Sequence, residues 1–121
     1  MSFPVNPVRV GLIGYGYSGK TFHAPLIKAV SGLTLCAVAS SDPKKVHADM
    51  PGMAVYADPL SLATAEDIDL LVIATPNVSH APLARTALTA GKHVVVDKPF
   101  TLDLAEARNL IALSESRGLM L

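Results

Sequence analysis

The chain has 121 residues, half of them hydrophobic and 17% charged, a composition that suits one globular domain with a single core and excludes a disordered segment. Ten basic residues balance ten acidic ones without a basic run, so the electrostatic footprint of a nucleic-acid binder is missing. No apolar run approaches the roughly 20 residues of a membrane span, and the start MSFPVNP has no basic flank before an apolar stretch, so a cytoplasmic protein with no membrane partner is expected.

The first apolar run, Val8–Ile13, is nearly continuous, as a parallel strand covered on both faces should be. It leads into Gly14-Tyr15-Gly16-Tyr17-Ser18-Gly19 and then a helix-like segment. In a strand–turn–helix setting the first glycine of G-x-G-x-x-G permits a tight turn. The second lets backbone approach a pyrophosphate, and the third packs helix on strand. The helix start adds free N–H groups and a positive dipole for the anion. Pro25 lies too deep in the expected helix for a first-turn position, so a kink or a late start is expected there.

The second run, Leu33–Ala39, holds the single cysteine, Cys36. One cysteine forms neither an internal disulfide nor a multi-cysteine metal site, and Cys36 reads as a small buried core residue. The segment Ser40-Ser41-Asp42-Pro43-Lys44-Lys45 follows. At this place an acidic residue hydrogen-bonds the ribose 2′-hydroxyl of NAD and repels the phosphate of NADP. Serines do not repel it, Lys44 or Lys45 is near enough to approach it, and Asp42 before Pro43 reads as a helix N-cap. Ser40, Ser41 and Lys45 are therefore candidate ribose-pocket residues, and the pattern leans to NADP with NAD as the alternative. His47 reads as an exposed helix residue.

Residues 53–56 form a third run, and Asp58-Pro59 repeats the capping device. The fourth run, residues 70–74, enters Thr75-Pro76-Asn77-Val78-Ser79-His80. Ser79 is placed to cap a helix whose apolar side includes Leu83, Ala87 and Leu88, with Gly91 just past its end. The fifth run, His93–Val96, enters Asp97-Lys98-Pro99. Asp103-x-x-Glu106 then has the form of a capping box, and Leu104, Ala107, Leu110 and Ile111 keep helical spacing until Arg117-Gly118. Residues 119–121 look like the start of a sixth strand. The alternation predicts an α/β fold with right-handed crossovers: a Rossmann-type doubly wound parallel sheet, strand order 3-2-1-4-5, with the start of a sixth strand.

The glycine loop, the segment Thr75 to His80, and Gly91-Lys92-His93-Val94-Val95-Val96-Asp97-Lys98-Pro99 together resemble the N-terminal domain of the glucose–fructose oxidoreductase / inositol dehydrogenase family (Gfo/Idh/MocA), over essentially residues 8 to 121. GYGYSGKTFHAPLI and VVVDKPFT look like a bacterial, NADP-leaning branch of sugar or polyol dehydrogenases. The resemblance implies that Lys98 is catalytic, beside the nicotinamide ribose and the substrate hydroxyl. An ammonium there orients the reacting oxygen and stabilises developing negative charge. It implies that Thr75, Pro76 and Asn77 pass under the nicotinamide half of the cofactor. His80 is implied to orient that loop rather than act as general base.

Asp97 stands where the family's glutamate is more usual, and Pro99 fits a rigid turn whose isomer the sequence leaves open. His23 and His93 read as structural, and no metal site is expected. The resemblance further implies a C-terminal substrate domain absent from this chain, which would carry the proton-transferring histidine. Full-length activity would be that of a dehydrogenase acting on CH–OH groups, and this part alone would turn over nothing. An isolated domain would leave an apolar face and a sheet edge uncovered, so homo-oligomeric self-association is expected. The competing reading is a non-catalytic dinucleotide-binding or redox-sensing module, which needs the glycine loop but not Lys98. A methyltransferase fits less well, because Ser40 stands where such folds often carry an acidic ribose ligand.

Overall fold

Five short Val/Leu/Ile-rich runs pair side by side in the computed structural model, which describes residues 6–121. The first five residues of the start MSFPVNP, read above for a targeting pattern, lie outside the described residues. The strands are β1 (Val8–Ile13), β2 (Leu33–Ala39), β3 (Ala54–Tyr56), β4 (Leu70–Ile73) and β5 (His93–Val96). All pair in parallel, in the order β3-β2-β1-β4-β5, as expected from the βα alternation. The helices are α1 (Ala24–Ala29), α2 (Pro43–Asp49), α3 (Pro59–Ala63), α4 (His80–Thr89) and α5 (Leu104–Ser116).

Side chains of successive strand residues point to opposite faces, and the sheet accordingly carries a core on each. Val10, Leu12, Val38 and Val72 pack with Ala24 and Ile27 of α1 and Val46 of α2. Ile13, Leu71, Ile73 and Val94 pack with residues of α3, α4 and α5, including Leu62, Leu83, Leu88 and Leu110. The hydrophobic effect thus requires nearly unbroken apolar strands in the middle of the sheet.

Several local expectations change in the folded chain. Cys36 is only partly buried. The β1–β2 register jumps between Val10↔Leu35 and Gly11↔Ala37, so Cys36 is the extra residue of a bulge, packed against the core from a partly buried position. Residues 119–121 form no strand, although the Val94 N–H donates to the Met120 carbonyl at 3.0 Å. Leu104 and Ile111, assigned to the apolar side of the last helix, are exposed, whereas Leu110 is fully buried.

Helix starts differ in the same way. Asp58 caps α3 through Leu60 N–H at 2.9 Å, and Asp103 caps α5 through Ala105 N–H at 3.1 Å. Asp42 holds the N-cap position of α2 but its carboxylate makes no capping bond. Ser79 makes none either; its hydroxyl donates back to the Pro76 carbonyl at 2.7 Å. Pro25 has the expected effect in a specific form. Residues Gly19–His23 make a π-helical turn before α1 begins, and the Ala24 N–H reaches the Gly19 carbonyl. Proline has no N–H for the ordinary α-helical bond and its ring crowds the carbonyl four residues back, which a widened turn relieves.

Candidate functional site

The chain runs outward from β1 through β2 to β3 on one side and then crosses from β3 back to β4 on the other side of β1, so the C-terminal ends of β1 and β4 border a topological switch point. Ladder bonds carry on to those ends. Gly14 N–H donates to Ala39 O at 2.9 Å, Ala74 N–H to Ile13 O at 2.8 Å, and Asp97 N–H to Ile73 O at 2.9 Å. The loops therefore leave from one aligned edge. They enclose a cleft of about 630 Å³, walled by Gly14, Tyr15 and Gly16 after β1, by Ser40, Ser41, Asp42 and Lys45 after β2, and by Ala74, Thr75 and Pro76 after β4.

Each glycine of the loop meets a different steric demand. Gly14 has φ +102°, and a Cβ there would lie 2.5 Å from the Ala74 carbonyl oxygen, so the turn after β1, packed against the end of β4, excludes a side chain at this position. A Cβ on Gly19 would lie 2.2 Å from the Gly14 carbonyl oxygen, which is the close packing of the π turn on the loop. Gly16 has nothing within 4 Å of its Cβ position. Its bare backbone borders the cleft, and that is the space a diphosphate needs. The residues present fit a dinucleotide.

Tyr15 lies on the cleft wall, but its ring is buried and its hydroxyl donates to Asp49 Oδ2 at 2.7 Å. Burial and that bond push the phenol up to about 12, and the same bond holds the Asp49 carboxyl below its ordinary value. Ser40 is partly committed as well: its hydroxyl accepts from Asp42 N–H at 3.1 Å. Ser41 and Lys45 are exposed on the wall.

The remaining candidates form a second group beside the cleft. Asp97 is its centre. Ser18 donates to Asp97 Oδ2 at 2.5 Å, the Lys98 N–H donates to Oδ1 at 3.1 Å, and His23 Nε2 lies 3.6 Å from Oδ2. The Ser18 bond, with the nearby His23, holds the Asp97 carboxyl below its ordinary value despite partial burial. The shorter aspartate thus reaches the glycine loop, and His23, read as structural, belongs to this group. The signal for it was Pro25, whose π turn carries His23.

The Lys98–Pro99 bond is cis. Lys98 is exposed, and among the described residues its ammonium has no ion-pair partner. His80 is 1% exposed, with Nδ1 2.8 Å from the Pro99 carbonyl and Nε2 2.8 Å from the Thr75 carbonyl. Carbonyls only accept, so the singly protonated ring makes one of these bonds and the doubly protonated ring both. His80 thereby links the loops after β4 and β5. Thr75 Oγ1 and Ser79 Oγ, 2.5 Å apart, tighten the first of them. Asn77 and Tyr17 are exposed and lie off the cleft wall.

Sequence reasoning missed Lys92. It is 7% exposed, and its ammonium donates to Ala65 O at 2.6 Å and Ile68 O at 2.7 Å. It holds the turn between α3 and β4 and lies away from the cleft.

A parallel 3-2-1-4-5 sheet with a glycine loop at its switch point defines a Rossmann-type dinucleotide-binding domain. The model of the oxidoreductase family with NAD-binding Rossmann fold (GFO_IDH_MocA) matches residues 8–121, and the chain belongs to that family. It is 57% identical over 114 residues to the uncharacterized oxidoreductase YdgJ of Escherichia coli K12, covering 94% of this chain and 33% of that protein. To the scyllo-inositol 2-dehydrogenase (NADP(+)) IolW of Bacillus subtilis it is 30% identical, covering 97% and 33%. The 3-ketoreductase KijD10 of Actinomadura kijaniata, solved with TDP-benzene and NADP, superposes with a TM-score of 0.87 at 34% identity, covering 96% of this chain and 37% of that one. The chain thus spans about a third of the length of the curated relatives it matches. Among the described residues no helix is long and apolar enough to cross a membrane.

Proposed function

We propose that this chain is the cofactor-holding part of an NADP-leaning, cytoplasmic dehydrogenase that moves hydride between a nicotinamide and a sugar or cyclic polyol. The observation that carries the reading is the division of labour among Gly14, Gly16 and Gly19: two are sterically obligatory, and the third leaves bare backbone on the cleft. The nicotinamide dinucleotide, when bound, supplies the hydride acceptor or donor.

The chain's own residues would hold and orient. N–H groups of the loop from Gly14 to Gly19 would take the diphosphate. Ser41 offers a hydroxyl and Lys45 a positive charge at the ribose end, and Ser40 shapes that turn. Thr75 and Pro76 would line the nicotinamide half from the cleft wall, with Asn77 following them in the same loop. Lys98 carries an ammonium free to orient a reacting oxygen and offset charge developing on it. Asp97 fixes the Lys98 main chain against Ser18, and His80 fixes Pro99 against Thr75. The substrate class follows IolW and KijD10, whose names give an inositol dehydrogenase and a ketoreductase. In this reading substrate-selecting residues and the proton-transferring histidine belong to a further domain, and this chain alone binds cofactor without turnover.

Calorimetric titration with NADPH and with NADH tests the proposal. Saturable binding of NADPH, tighter than that of NADH, is the expected result. Tighter NADH would overturn the NADP lean and keep the dinucleotide site. No heat from either would overturn the site itself.

A further inference from the structure

Glycine gives the loop after β1 its shape but also its freedom, so other residues have to hold it. Two hydroxyls of the loop do so. Ser18 reaches Asp97 at the end of β5, and Tyr15 reaches Asp49, the last residue of α2, 34 positions away. The π turn that follows approaches the same two carboxylates: Lys20 Nζ lies 3.6 Å from Asp49 Oδ2, and His23 Nε2 lies 3.6 Å from Asp97 Oδ2. The Lys20 N–H also donates to the Gly16 carbonyl at 3.0 Å. The segment from Tyr15 to His23 is thus slung between two carboxylates, one from the β2 side of β1 and one from the β5 side.

The Asp97 anchor bears on Lys98, as described above. The Asp49 anchor bears on the loop alone. Tyr15 is 5% exposed, yet it borders both the cleft and a second cavity of about 290 Å³ that Lys20, Lys28 and Asp49 also line. With space open beside the ring, packing by itself does not fix its direction; the hydroxyl bond to Asp49 at 2.7 Å does. The anchor is firm, because Val46 of α2 is buried in the same core as Tyr15. A carboxylate adds nothing to the attraction of an anionic ligand, so any help it gives to binding lies in holding the loop.

We infer that Asp49 is a positioning residue of the cofactor site: by accepting from the Tyr15 hydroxyl it sets the glycine loop in the arrangement that receives the diphosphate. This rests on the dinucleotide reading above. Released from Asp49, the loop populates arrangements that do not receive the ligand, and apparent affinity falls with the competent fraction. The diphosphate is common to NADPH and NADH, so both lose alike.

The test titrates the unmodified chain, Tyr15→Phe, Asp49→Ala, the double variant and Asp49→Asn with NADPH and with NADH, well below the Tm recorded for each. Tyr15→Phe keeps the ring and every charge, so it isolates the bond. It and Asp49→Ala should each weaken both cofactors about fivefold, the order of one hydrogen bond, and leave the NADPH/NADH ratio within about twofold of the parent's. The double variant should lose no more than either single one, because both remove the same contact. Asp49→Asn keeps an acceptor for the phenol and should bind within about twofold of the parent. A lower Tm in Tyr15→Phe with affinity unchanged would mark a purely structural bond and overturn the inference. Additive losses in the double variant, no rescue by Asp49→Asn, or a loss confined to NADPH would overturn it as well. If the unmodified chain binds neither cofactor, the dinucleotide reading falls and this inference with it. If it binds and one of those contrary results appears, only the inference falls.

Discussion

Lys92 shows how a charged residue within a family-like segment serves the fold rather than the cleft. Its ammonium donates to the Ala65 carbonyl, which also accepts from Ile68 N–H at 3.3 Å, and to the buried Ile68 carbonyl. Lys92→Met removes both bonds and leaves the Ile68 carbonyl buried without its donor. The expected loss is about 1 to 3 kcal/mol in a denaturant titration, with cofactor affinity of the folded protein unchanged. A second charge responds to pH. Arg9 donates to both oxygens of Asp69, Nη2 to Oδ1 at 2.8 Å and Nε to Oδ2 at 3.0 Å, and its N–H adds a third bond at 2.9 Å. The guanidinium bond, chiefly, holds the Asp69 carboxyl down from 3.8 to about 2. Because the folded value is the lower, this stabilisation is present above the unfolded value and is lost as pH falls through the folded one. Unfolding measured from about pH 5 to pH 2 should show a shallower acid loss in Asp69→Asn than in the parent. The pair is more than a third exposed, so at neutral pH the substitution should cost below about 1 kcal/mol.

At the scale of the element, the glycine loop allows two substitutions with opposite outcomes. Gly19→Ala forces a methyl group to 2.2 Å from the Gly14 carbonyl. The π turn would have to lift off the loop, and a stability loss of about 3 kcal/mol is expected. Gly16→Ala meets open space, so Tm should hold while dinucleotide affinity falls. Equal loss of Tm in the two would contradict these separate roles. The loop, its strand and its helix were legible from the 14–19 spacing, because a glycine pattern between an apolar run and a helical one has few structural solutions. The fate of Pro25 was legible only as a disturbance. Whether the helix kinks, starts late or widens into a π turn depends on what the preceding turn packs against. The two Asp-Pro starts make the same point. Identical dipeptides end as a working cap at Asp58 and an idle carboxylate at Asp42. Ser40 takes over the Asp42 main chain, a contact that composition cannot announce.

Across the whole molecule, the β5 side is the less finished one. Val95 of the edge strand is 45% exposed, and Leu102, Leu104 and Ile111 around α5 are 62%, 65% and 44% exposed. Apolar surface beside an edge strand favours association. Sedimentation over a range of concentrations should show reversible self-association, and Leu104→Glu should reduce it. A monomer at every concentration would count against an adhesive face.

The sequence by itself determined the class of fold, the five strands and their order, the glycine loop, and the two later motifs that place the chain in its oxidoreductase family. Those features are local, encoded in periodicity, in glycine and proline positions, and in short runs whose geometry allows little choice. Only the tertiary structure decided which candidates share a wall. It put Ser41, Asp42 and Lys45 on the cleft with Gly16. It gathered Ser18, His23 and Lys98 around Asp97, and it made His80 the link between Thr75 and Pro99. The reason is physical: a side chain's role depends on which donors and acceptors arrive from other elements, and those partners come together only when the sheet closes its two cores.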